Sequence, residues 1–219
     1  MSVNKSNPNW RTRTQLVRGG TNRSEFAETN EAIFITSGYV YETAEQAQRA
    51  FKNQEERFIY SRFSNPTVSM FEERLRLLEE TKSCRATATG MAAVWASLAT
   101  LLKTGDRLVA SKALFGSCHV VCMELLPKFG VKSIMVDGTS LNEWEEALST
   151  PTTAVFIETP SNPQMDLIDI EIVCELAHEA GAKVVVDNVF ATPILQKPIE
   201  FGADIVVYSA TKHIDGQGR

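Results

Sequence analysis

Short apolar segments alternate with helical patterns through most of this 219-residue chain. From Asn65 onward, the pattern predicts five strands, at 107–110, 133–136, 154–157, 183–186 and 205–208. It predicts five helices, at 68–80, 91–102, 118–129, 141–148 and 170–179. Strands that are apolar throughout, rather than alternating, indicate a mostly parallel sheet covered by helices on both faces. The alternation of strands and helices favours the same architecture, a doubly wound α/β fold.

Capping residues support these helix boundaries. Ser140 and Glu143 have the spacing of a capping box, and Asp169 precedes the helix at 170–179 as a candidate N-cap. Gly130 and Gly181 stand where two helices are predicted to end, and glycine favours the left-handed conformation that closes a helix.

Residues 1–63 differ from the rest of the chain. They are polar and rich in arginine, with scattered aromatic residues, and they contain one clear helical pattern, at 43–51. A long segment with little regular structure is unusual in a compact domain unless it packs against something else. Aromatic residues and arginine are also enriched at interfaces. We therefore predict an arm at 1–63 that contacts a neighbouring subunit, and an α/β domain at 64–219.

The charge balance limits the classes of partner. The chain has 22 basic and 27 acidic residues, a net charge of −5 and no block of like charge. We therefore expect neither a nucleic acid nor an anionic membrane as a partner. The longest apolar runs are strand-sized, well below the roughly 18 residues of a membrane helix, and the N-terminus shows no apolar signal-peptide core.

The four cysteines fit a reducing compartment. Cys84, Cys118, Cys122 and Cys174 show no C-x-x-C pairing, so we expect reduced thiols and a cytoplasmic protein. Cys118 and Cys122 share a helix face beside His119. That spacing could hold zinc, but a packed helix face is the more common reason for it.

Reactive side chains follow the last two predicted strands. The fourth strand ends in Asp187 and Asn188. The fifth runs into Ser209, Thr211 and Lys212. Because parallel strands end at one edge of a sheet, we expect these groups to face one crevice. The set suits pyridoxal 5′-phosphate (PLP), with the amine for its aldehyde, the hydroxyls for its phosphate and the carboxylate for its pyridinium nitrogen. A surface lysine and an Asp-Asn turn explain either feature alone, whereas their combination favours the cofactor.

Three further features converge on the same edge. Gly90 and Met91 open a predicted helix, whose free N–H groups can hold a phosphate. The G-x-G-x-x-G fingerprint is absent there, which disfavours a Rossmann dinucleotide site. Phe115 follows the first strand, where a ring can stack on a planar cofactor. Two prolines after the third strand fix a rigid loop that can turn the amide of Asn162 toward a ligand.

Two ionisable groups need specific surroundings for this chemistry. The carboxylate of Asp187 beside a ring nitrogen would keep that nitrogen protonated. Lys212 must be neutral to attack an aldehyde, so we expect burial and a nearby cation to lower its pKa from about 10.4.

Five ordered segments resemble the Cys/Met-metabolism PLP enzymes: YSRFSNPT at 60–67, TGM at 89–91, ETPSNP at 158–163, VDN at 186–188 and YSATK at 208–212. The resemblance covers essentially the whole chain. It implies the PLP-dependent transferase fold type I (aspartate-aminotransferase-like). Family members are nearly twice this length, so it also implies that the C-terminal domain is absent from this chain, with the arginine that binds the substrate α-carboxylate.

The resemblance implies a role for each candidate residue. Lys212 would bond to PLP and later carry protons between substrate carbons, and Asp187 would pair with the pyridinium. Phe115 would stack on the ring, and Asn162 would lie near its 3′-oxygen. The implied phosphate ligands are Gly90, Met91, Ser209 and Thr211, with Tyr60 and Arg62 reaching over from a neighbouring subunit. The planar guanidinium of Arg62 suits a dianionic phosphate.

The tail at 213–219 is most similar to the sulfhydrylase branch of the family. This implies γ-replacement, in which sulfide displaces succinate from O-succinylhomoserine to give homocysteine for methionine biosynthesis. It also implies a homotetramer built from dimers that share active sites. Many relatives carry a tyrosine in place of Phe115, so here Lys212 or water would move protons at the leaving group.

Two alternatives stay open at this point. Within the family, the reaction could be that of a cystathionine γ-synthase, or of a methionine or cystathionine γ-lyase. In another class, the chain could be an inactive truncated remnant that acts only as an assembly or cofactor-binding fragment.

Overall fold

The computed structural model describes residues 9–218. The chain divides into two compact units, Met1–Ala86 and Thr87–Arg219. The predicted arm at 1–63 therefore lies within the first unit, which also contains the helix predicted at 68–80. Contact between the arm and a neighbouring subunit stays a prediction.

The first unit contains three helices, Thr12–Arg18 (α1), Ala44–Phe51 (α2) and Pro66–Glu79 (α3). The helix predicted at 43–51 is confirmed as α2. The first helix, α1, was not predicted, because its only two apolar side chains, at positions 16 and 17, are both exposed and give no helical period. The third helix starts two residues earlier than predicted, since Asn65 caps it by accepting the N–H of Thr67 at 2.9 Å.

The second unit is built on one five-stranded parallel sheet. Its strands are Arg107–Ser111 (β1), Lys132–Val136 (β2), Ala154–Glu158 (β3), Lys183–Asp187 (β4) and Ile205–Val207 (β5). They lie in the order β2-β1-β3-β4-β5. All five predicted strands and their parallel arrangement are confirmed. β1, β3 and β4 are almost wholly buried, whereas the edge strands β2 and β5 are only partly so.

Helices cover both faces of this sheet, as predicted. Alternate residues of β1, β3 and β4 pack on one face with Leu141–Leu148 (α7) and Ile170–Glu179 (α8). The other residues of these strands pack on the opposite face with Gly90–Leu101 (α4) and the helical segment after β1. The chain also forms two short helices, at Thr192–Leu195 (α9) and Pro198–Phe201 (a 3-10 turn), which the sequence did not indicate.

The single helix predicted at 118–129 is wrong in detail. The segment forms α-helix at Gly116–Val120 (α5), a π-helical turn at Val121–Leu125, and α-helix again at Leu126–Lys128 (α6). Pro127 has no N–H to donate to the carbonyl four residues earlier, and its ring crowds that carbonyl. The helix widens immediately before this proline.

The capping predictions are mostly confirmed. Asp169 accepts the N–H of Ile172 at 3.2 Å, and Gly130 and Gly181 have φ angles of 80° and 82°. Ser140 accepts the N–H of Glu143 at 3.4 Å. The capping box is incomplete, however, because the carboxylate of Glu143 accepts the N–H of Asp137, at 2.7 Å, instead of the N–H of the cap.

No helix within residues 9–218 combines the length and the hydropathy that a membrane crossing requires. All four cysteines are free thiols.

Candidate cofactor site

The carboxyl ends of four strands carry the predicted site. In the strand order, β1 and β3 are neighbours from which the chain proceeds in opposite directions across the sheet, and ligands of open parallel sheets bind beside such a switch point. Phe115 follows β1, Asn162 follows β3, Asp187 ends β4 and Lys212 follows β5. The fold therefore brings these four to one edge of the sheet, as the sequence predicts; their roles stay predictions.

Asp187 is a buried carboxylate that pairs with no cationic side chain within residues 9–218. It is 9% exposed, and in the described part of the chain its only hydrogen-bond donor is the N–H of Val189, at 3.1 Å. Burial raises the pKa of Asp187 from its ordinary value of 3.8 to about 6, although the Val189 N–H opposes this shift. An ionised carboxylate buried in this way attracts a cationic ligand.

Glu158 is a second buried carboxylate, which the sequence reasoning did not select. It ends β3 in register with Asp187 on β4 and is 1% exposed. Its Oε2 accepts the N–H of Phe115, and its Oε1 accepts the N–H of Asn162 at 3.1 Å. Burial, and secondarily the charge of Asp187, raise the pKa of Glu158 to about 7, against the effect of both hydrogen bonds. A carboxylate at the end of a wholly apolar strand was the available signal.

An amide network joins the loops after β3, β4 and β5. Asn188 is fully buried and donates to the hydroxyl of Tyr208 at 2.7 Å and to the carbonyl of Gln196 at 2.8 Å. Gln196 donates in turn to Asn188 Oδ1, at 2.8 Å, and to the carbonyl of Thr159, at 2.9 Å. These bonds stabilise the loop ends that carry the site. Gln196 follows the unpredicted helix α9, so the sequence offered no signal for it.

The start of α4 lies directly against the segment after β5. A Cβ placed on Gly90 would come within 2.8 Å of Ser209 Cβ and 3.0 Å of its Cα. Glycine therefore allows the first turn of α4 and the hydroxyl of Ser209 to meet. The N–H groups of Gly90 and Met91 belong to that first turn, where a helix offers no carbonyl partner. Together with the half-buried Thr211, this arrangement can hold a phosphate.

Lys212 corrects one expectation. The sequence predicted a buried lysine with a lowered pKa, but Lys212 is exposed. Its backbone N–H donates to the carbonyl of Ser209 at 3.2 Å, and its carbonyl accepts the N–H of Gly216 at 2.8 Å. Through Gly218 the chain continues in turns and bends whose residues are themselves exposed.

Phe115 and Asn162 are the two residues whose backbone N–H groups donate to Glu158. Phe115 is 43% exposed, which leaves its ring free to cover a planar ligand. Asn162 is half-buried, in a loop with cis peptide bonds at Thr159-Pro160 and Asn162-Pro163.

The two remaining candidates, Tyr60 and Arg62, lie in the first unit. The guanidinium of Arg62 lies 5.0 Å from the centroid of the Tyr60 ring and 5.2 Å from that of Phe63. All three side chains are exposed, so they form a cationic and aromatic surface. Their predicted role at the phosphate of a neighbouring subunit stays a prediction.

Cys118 and Cys122 are 1% and 0% exposed, and both pack into the core on the face of the sheet that α4 covers. The thiol of Cys118 lies 3.9 Å from the sulfur of Met91. Burial, followed by the charges of Asp187 and Glu158, raises the pKa of Cys118. Within residues 9–218, no group of three or more His, Cys, Asp or Glu residues is arranged to hold a metal ion.

The residues present fit PLP. The uncompensated carboxylate of Asp187 suits a pyridinium nitrogen, and the close approach of Gly90 to Ser209 places hydroxyl and N–H donors together for a phosphate. The exposed ring of Phe115 offers a face on which a planar ring can stack, and the exposed Lys212 offers an amine for an aldehyde.

Comparison with known proteins gives the family. The sequence pattern of the family described as Cys/Met metabolism PLP-dependent enzyme matches residues 13–219. The chain therefore belongs to this family of PLP-dependent enzymes. It is 62% identical over 203 residues to an O-succinylhomoserine sulfhydrylase of Mycobacterium tuberculosis, which covers 93% of this chain and 50% of that protein. It is 39% identical over 206 residues to an L-methionine gamma-lyase of Fusobacterium nucleatum, covering 94% of this chain and 52% of that protein.

Solved structures agree with the predicted fold type I. A protein from Campylobacter jejuni described as an O-acetylhomoserine (thiol)-lyase superposes with a TM-score of 0.90 and 32% identity, over 96% of this chain and 52% of that chain. That crystal structure contains a pyridoxyl-lysine-5′-monophosphate. A cystathionine gamma synthase from Xanthomonas oryzae gives a TM-score of 0.88 and 32% identity, over 95% of this chain and 52% of that one. The chain thus spans about half the length of the relatives it matches.

Substitution of Gly90 tests the proposed phosphate contact. In Gly90→Ala, the added methyl group would force α4 and Ser209 apart, because one of the opposing atoms is backbone and cannot rotate away. We expect a loss of roughly 1–3 kcal/mol of stability and weaker binding of PLP. Urea unfolding and fluorescence titration with PLP measure the two effects. Gly116→Ala is the matched control, since a Cβ on Gly116 meets nothing within 4 Å; equal effects of both substitutions would contradict the prediction.

Proposed function

We propose that the complete protein catalyses γ-replacement, exchanging the succinyl group of O-succinylhomoserine for sulfide to give homocysteine. The observation that supports it most is the buried carboxylate of Asp187 at the end of β4, which has no cationic partner among the described residues and lies beside the strand that leads to Lys212. The choice of reaction is supported by the 62% identity to a protein named O-succinylhomoserine sulfhydrylase.

When bound, PLP supplies a covalent attachment for the substrate amine and an electron sink for the carbanion. The residues of this chain provide the rest. Asp187 holds a negative charge beside the ring nitrogen and so keeps its proton in place. The amine of Lys212 would remove a proton from Cα and then one from Cβ, which allows succinate to leave from Cγ, and would return protons to these carbons after sulfide has added. Phe115 covers one face of the ring and excludes water from it.

The phosphate is held by two kinds of group in this proposal. The first turn of α4, at Gly90 and Met91, offers N–H donors and the positive end of a helix dipole. The hydroxyls of Ser209 and Thr211 add short, directional donors. The amide of Asn162 is proposed to lie near the ring's 3′-oxygen. Because Phe115 has no phenol, proton transfer to the leaving group falls to Lys212 or water.

We also propose that the active protein is a homotetramer built from dimers that share active sites. Exposed apolar side chains crowd the first unit, including Ile33, Ile35 and Val40, which are 77%, 94% and 89% exposed. Apolar surface of this extent is typical of an interface. In this assembly, Tyr60 and Arg62 would bind the phosphate in the neighbouring subunit, where the guanidinium suits a dianion.

A competition between nucleophiles tests the reaction. The complete protein is supplied with O-succinylhomoserine and equal concentrations of sulfide and cysteine, and the products are separated by mass spectrometry. We expect homocysteine to dominate over cystathionine. A dominant cystathionine product would support a γ-synthase instead.

Release of an oxo acid and ammonia without any nucleophile would support a γ-lyase, the reaction of the methionine gamma-lyases that match this chain. Intact-mass analysis of the natural protein addresses the remnant alternative. A lone 24.3 kDa species without turnover would contradict the proposed reaction, whereas a second polypeptide or a longer chain with turnover supports it.

A further inference from the structure

Glu158 connects the two loops that carry the proposed ring contacts. Its side chain is 1% exposed, and its two oxygens accept two different backbone N–H groups. Oε2 accepts from Phe115, at the start of the helix after β1. Oε1 accepts from Asn162, in the loop after β3, at 3.1 Å. One side chain therefore holds in place both the aromatic ring and the amide.

We propose that Glu158 is a positioning residue of the cofactor site, which holds Phe115 and Asn162 only while its carboxylate is ionised. The proposal rests on the cofactor roles given to Phe115, Asn162 and Asp187 above. It adds a residue that contacts no cofactor and acts through its neighbours.

The chemistry of the acceptor requires the charge. An ionised carboxylate presents an acceptor on each oxygen, so it satisfies both N–H groups at once. A protonated carboxyl or an amide has a donor on one of its two terminal atoms. At that atom an amide has no acceptor, and a protonated carboxyl has only the weaker acceptor of its hydroxyl oxygen, so the N–H group of the corresponding loop would lose its charged acceptor. Buried N–H groups left without an acceptor are costly, so the loop is expected to move.

The residues around Glu158 make its ionisation sensitive to a cationic ring bound at Asp187. The titratable groups that face Glu158 from neighbouring elements are Asp187, on β4, and Cys118, on α5. No cation compensates the two carboxylates among the described residues. Burial, and secondarily the charge of Asp187, raise the pKa of Glu158 to about 7. A cationic ring bound at Asp187 would favour the ionised form of both carboxylates. Cofactor binding and ionisation of Glu158 are therefore linked, and each promotes the other.

The sign of the pH effect follows from this linkage. Below about pH 7, the cofactor-free protein holds a proton on Glu158 that must leave before the site is ordered. The contribution of Glu158 to cofactor affinity should therefore be complete near pH 8.5 and decline toward pH 6. The ratio of wild-type to Glu158→Gln affinity reports this contribution together with the effect of the Glu158 charge on its neighbour Asp187, because the remaining titrating groups are common to the two proteins.

The experiment measures PLP affinity of the complete protein at several values between pH 6 and 8.5. For Glu158→Gln, we expect roughly tenfold or greater loss at pH 8.5, the scale of one hydrogen bond to a charged group, and a smaller loss at pH 6. The visible circular dichroism of the bound cofactor, per mole bound, should also change, since Phe115 and Asn162 orient the ring. A ratio that does not vary with pH, or an unchanged spectrum, would overturn the proposal.

Asp204→Asn is the matched control. Asp204 is also a carboxylate bound to a backbone N–H of this sheet, that of Val184 at 2.9 Å, but it lies at the opposite end of β4. Its replacement should lower stability without changing the pH dependence of the affinity or the dichroism. If it reproduces the effects of Glu158→Gln, the role of Glu158 is merely structural and the proposal is wrong.

Glu158→Asp supplies a second test that does not need the glutamine variant to fold. It keeps the charge, but its carboxylate is one methylene short of the two N–H groups, so affinity at pH 8.5 and the dichroism should both change. A folded Glu158→Asp protein with wild-type values of both would overturn the proposal. Borohydride reduction of the wild-type protein separates this inference from the proposed function: failure to trap pyridoxyl on Lys212 overturns both, whereas trapping with unaffected Glu158 variants overturns the inference alone.

Discussion

Replacing Lys212 with alanine is expected to lower the kcat/KM of the complete protein by at least about 10³-fold while leaving its stability almost unchanged. The proposal gives this amine both the covalent bond to PLP and the proton transfers between substrate carbons. No second lysine follows β5 within the described residues. Because Lys212 is exposed and its hydrogen bonds that hold the turn are backbone bonds, loss of its side chain should change the free energy of unfolding by no more than about 0.5 kcal/mol.

Three measurements on Lys212→Ala check this result: turnover, urea unfolding, and intact mass after borohydride reduction. The wild type should gain the mass of a reduced pyridoxyl phosphate group and the variant should not. Lys132→Ala is the control. Lys132 is an exposed lysine at the amino end of β2, whereas the proposed site lies at the carboxyl ends of the strands. Turnover and trapping that persist in Lys212→Ala would refute the assignment of this residue.

The strands and the position of Asp187 could be predicted because a strand that is buried on both faces appears in the sequence as a continuous apolar run. Apolar runs such as the one before Asp187 have few alternatives to a central parallel strand. The first polar residue after such a run must lie at the edge of the sheet. The same rule reached Lys212, although the strand before it, β5, is one residue shorter than predicted.

Other features depend on contacts that a local pattern does not contain. None of the residues of α1 is buried, so its sequence lacks the regularly spaced apolar residues that predict a helix. The network of Asn188, Gln196 and Thr159 joins residues up to 37 positions apart in the sequence. The widening before Pro127 was foreseeable in principle, because proline disrupts the helix on its amino-terminal side. The exposure of Lys212 was mispredicted because burial was inferred from the need for a neutral amine and not from the residues around Lys212.

Glu158 shows how a site residue escapes sequence reasoning. It begins the segment ETPSNP, in which the prolines and the asparagine carry the recognisable pattern, whereas a carboxylate at the end of a buried strand has no fixed function. Its proposed function depends on two backbone N–H groups, and backbone donors have no sequence signature. Only the register that sets Glu158 beside Asp187 makes the pair visible.

Asp187→Asn is expected to stabilise the cofactor-free protein and, at the same time, to weaken its binding of PLP. The folded protein raises the pKa of Asp187 from 3.8 to about 6, so it holds that proton more tightly than the unfolded chain does. Stability therefore falls as the pH rises from about 4 to about 6, and the loss persists at higher pH. The cost of the buried charge is on the order of 3 kcal/mol, from a shift of about two pKa units. Asparagine removes that cost and can still accept the N–H of Val189.

The effect on the cofactor has the opposite sign. Asp187 is the proposed partner of the pyridinium, and truncating one member of a buried charge pair costs about 2 kcal/mol or more. PLP affinity should therefore fall at least roughly 30-fold, and turnover should fall with it, since the ring nitrogen loses the group that keeps it protonated. Urea unfolding of the cofactor-free protein at pH 4 and pH 8, together with PLP titration at pH 8, measures both effects.

Asp204→Asn distinguishes this trade-off from a general effect of removing a strand-associated carboxylate. Asp204 accepts from Lys183 at 2.7 Å and from the N–H of Val184 at 2.9 Å, and these partners hold its pKa below the ordinary value despite its partial burial. Its charge therefore stabilises the fold, and its loss should destabilise the protein at pH 8, where loss of the Asp187 charge stabilises it. If Asp187→Asn also destabilises the cofactor-free protein at pH 8, then Asp187 is compensated within the fold, and a site that needs a cationic ligand is the wrong description.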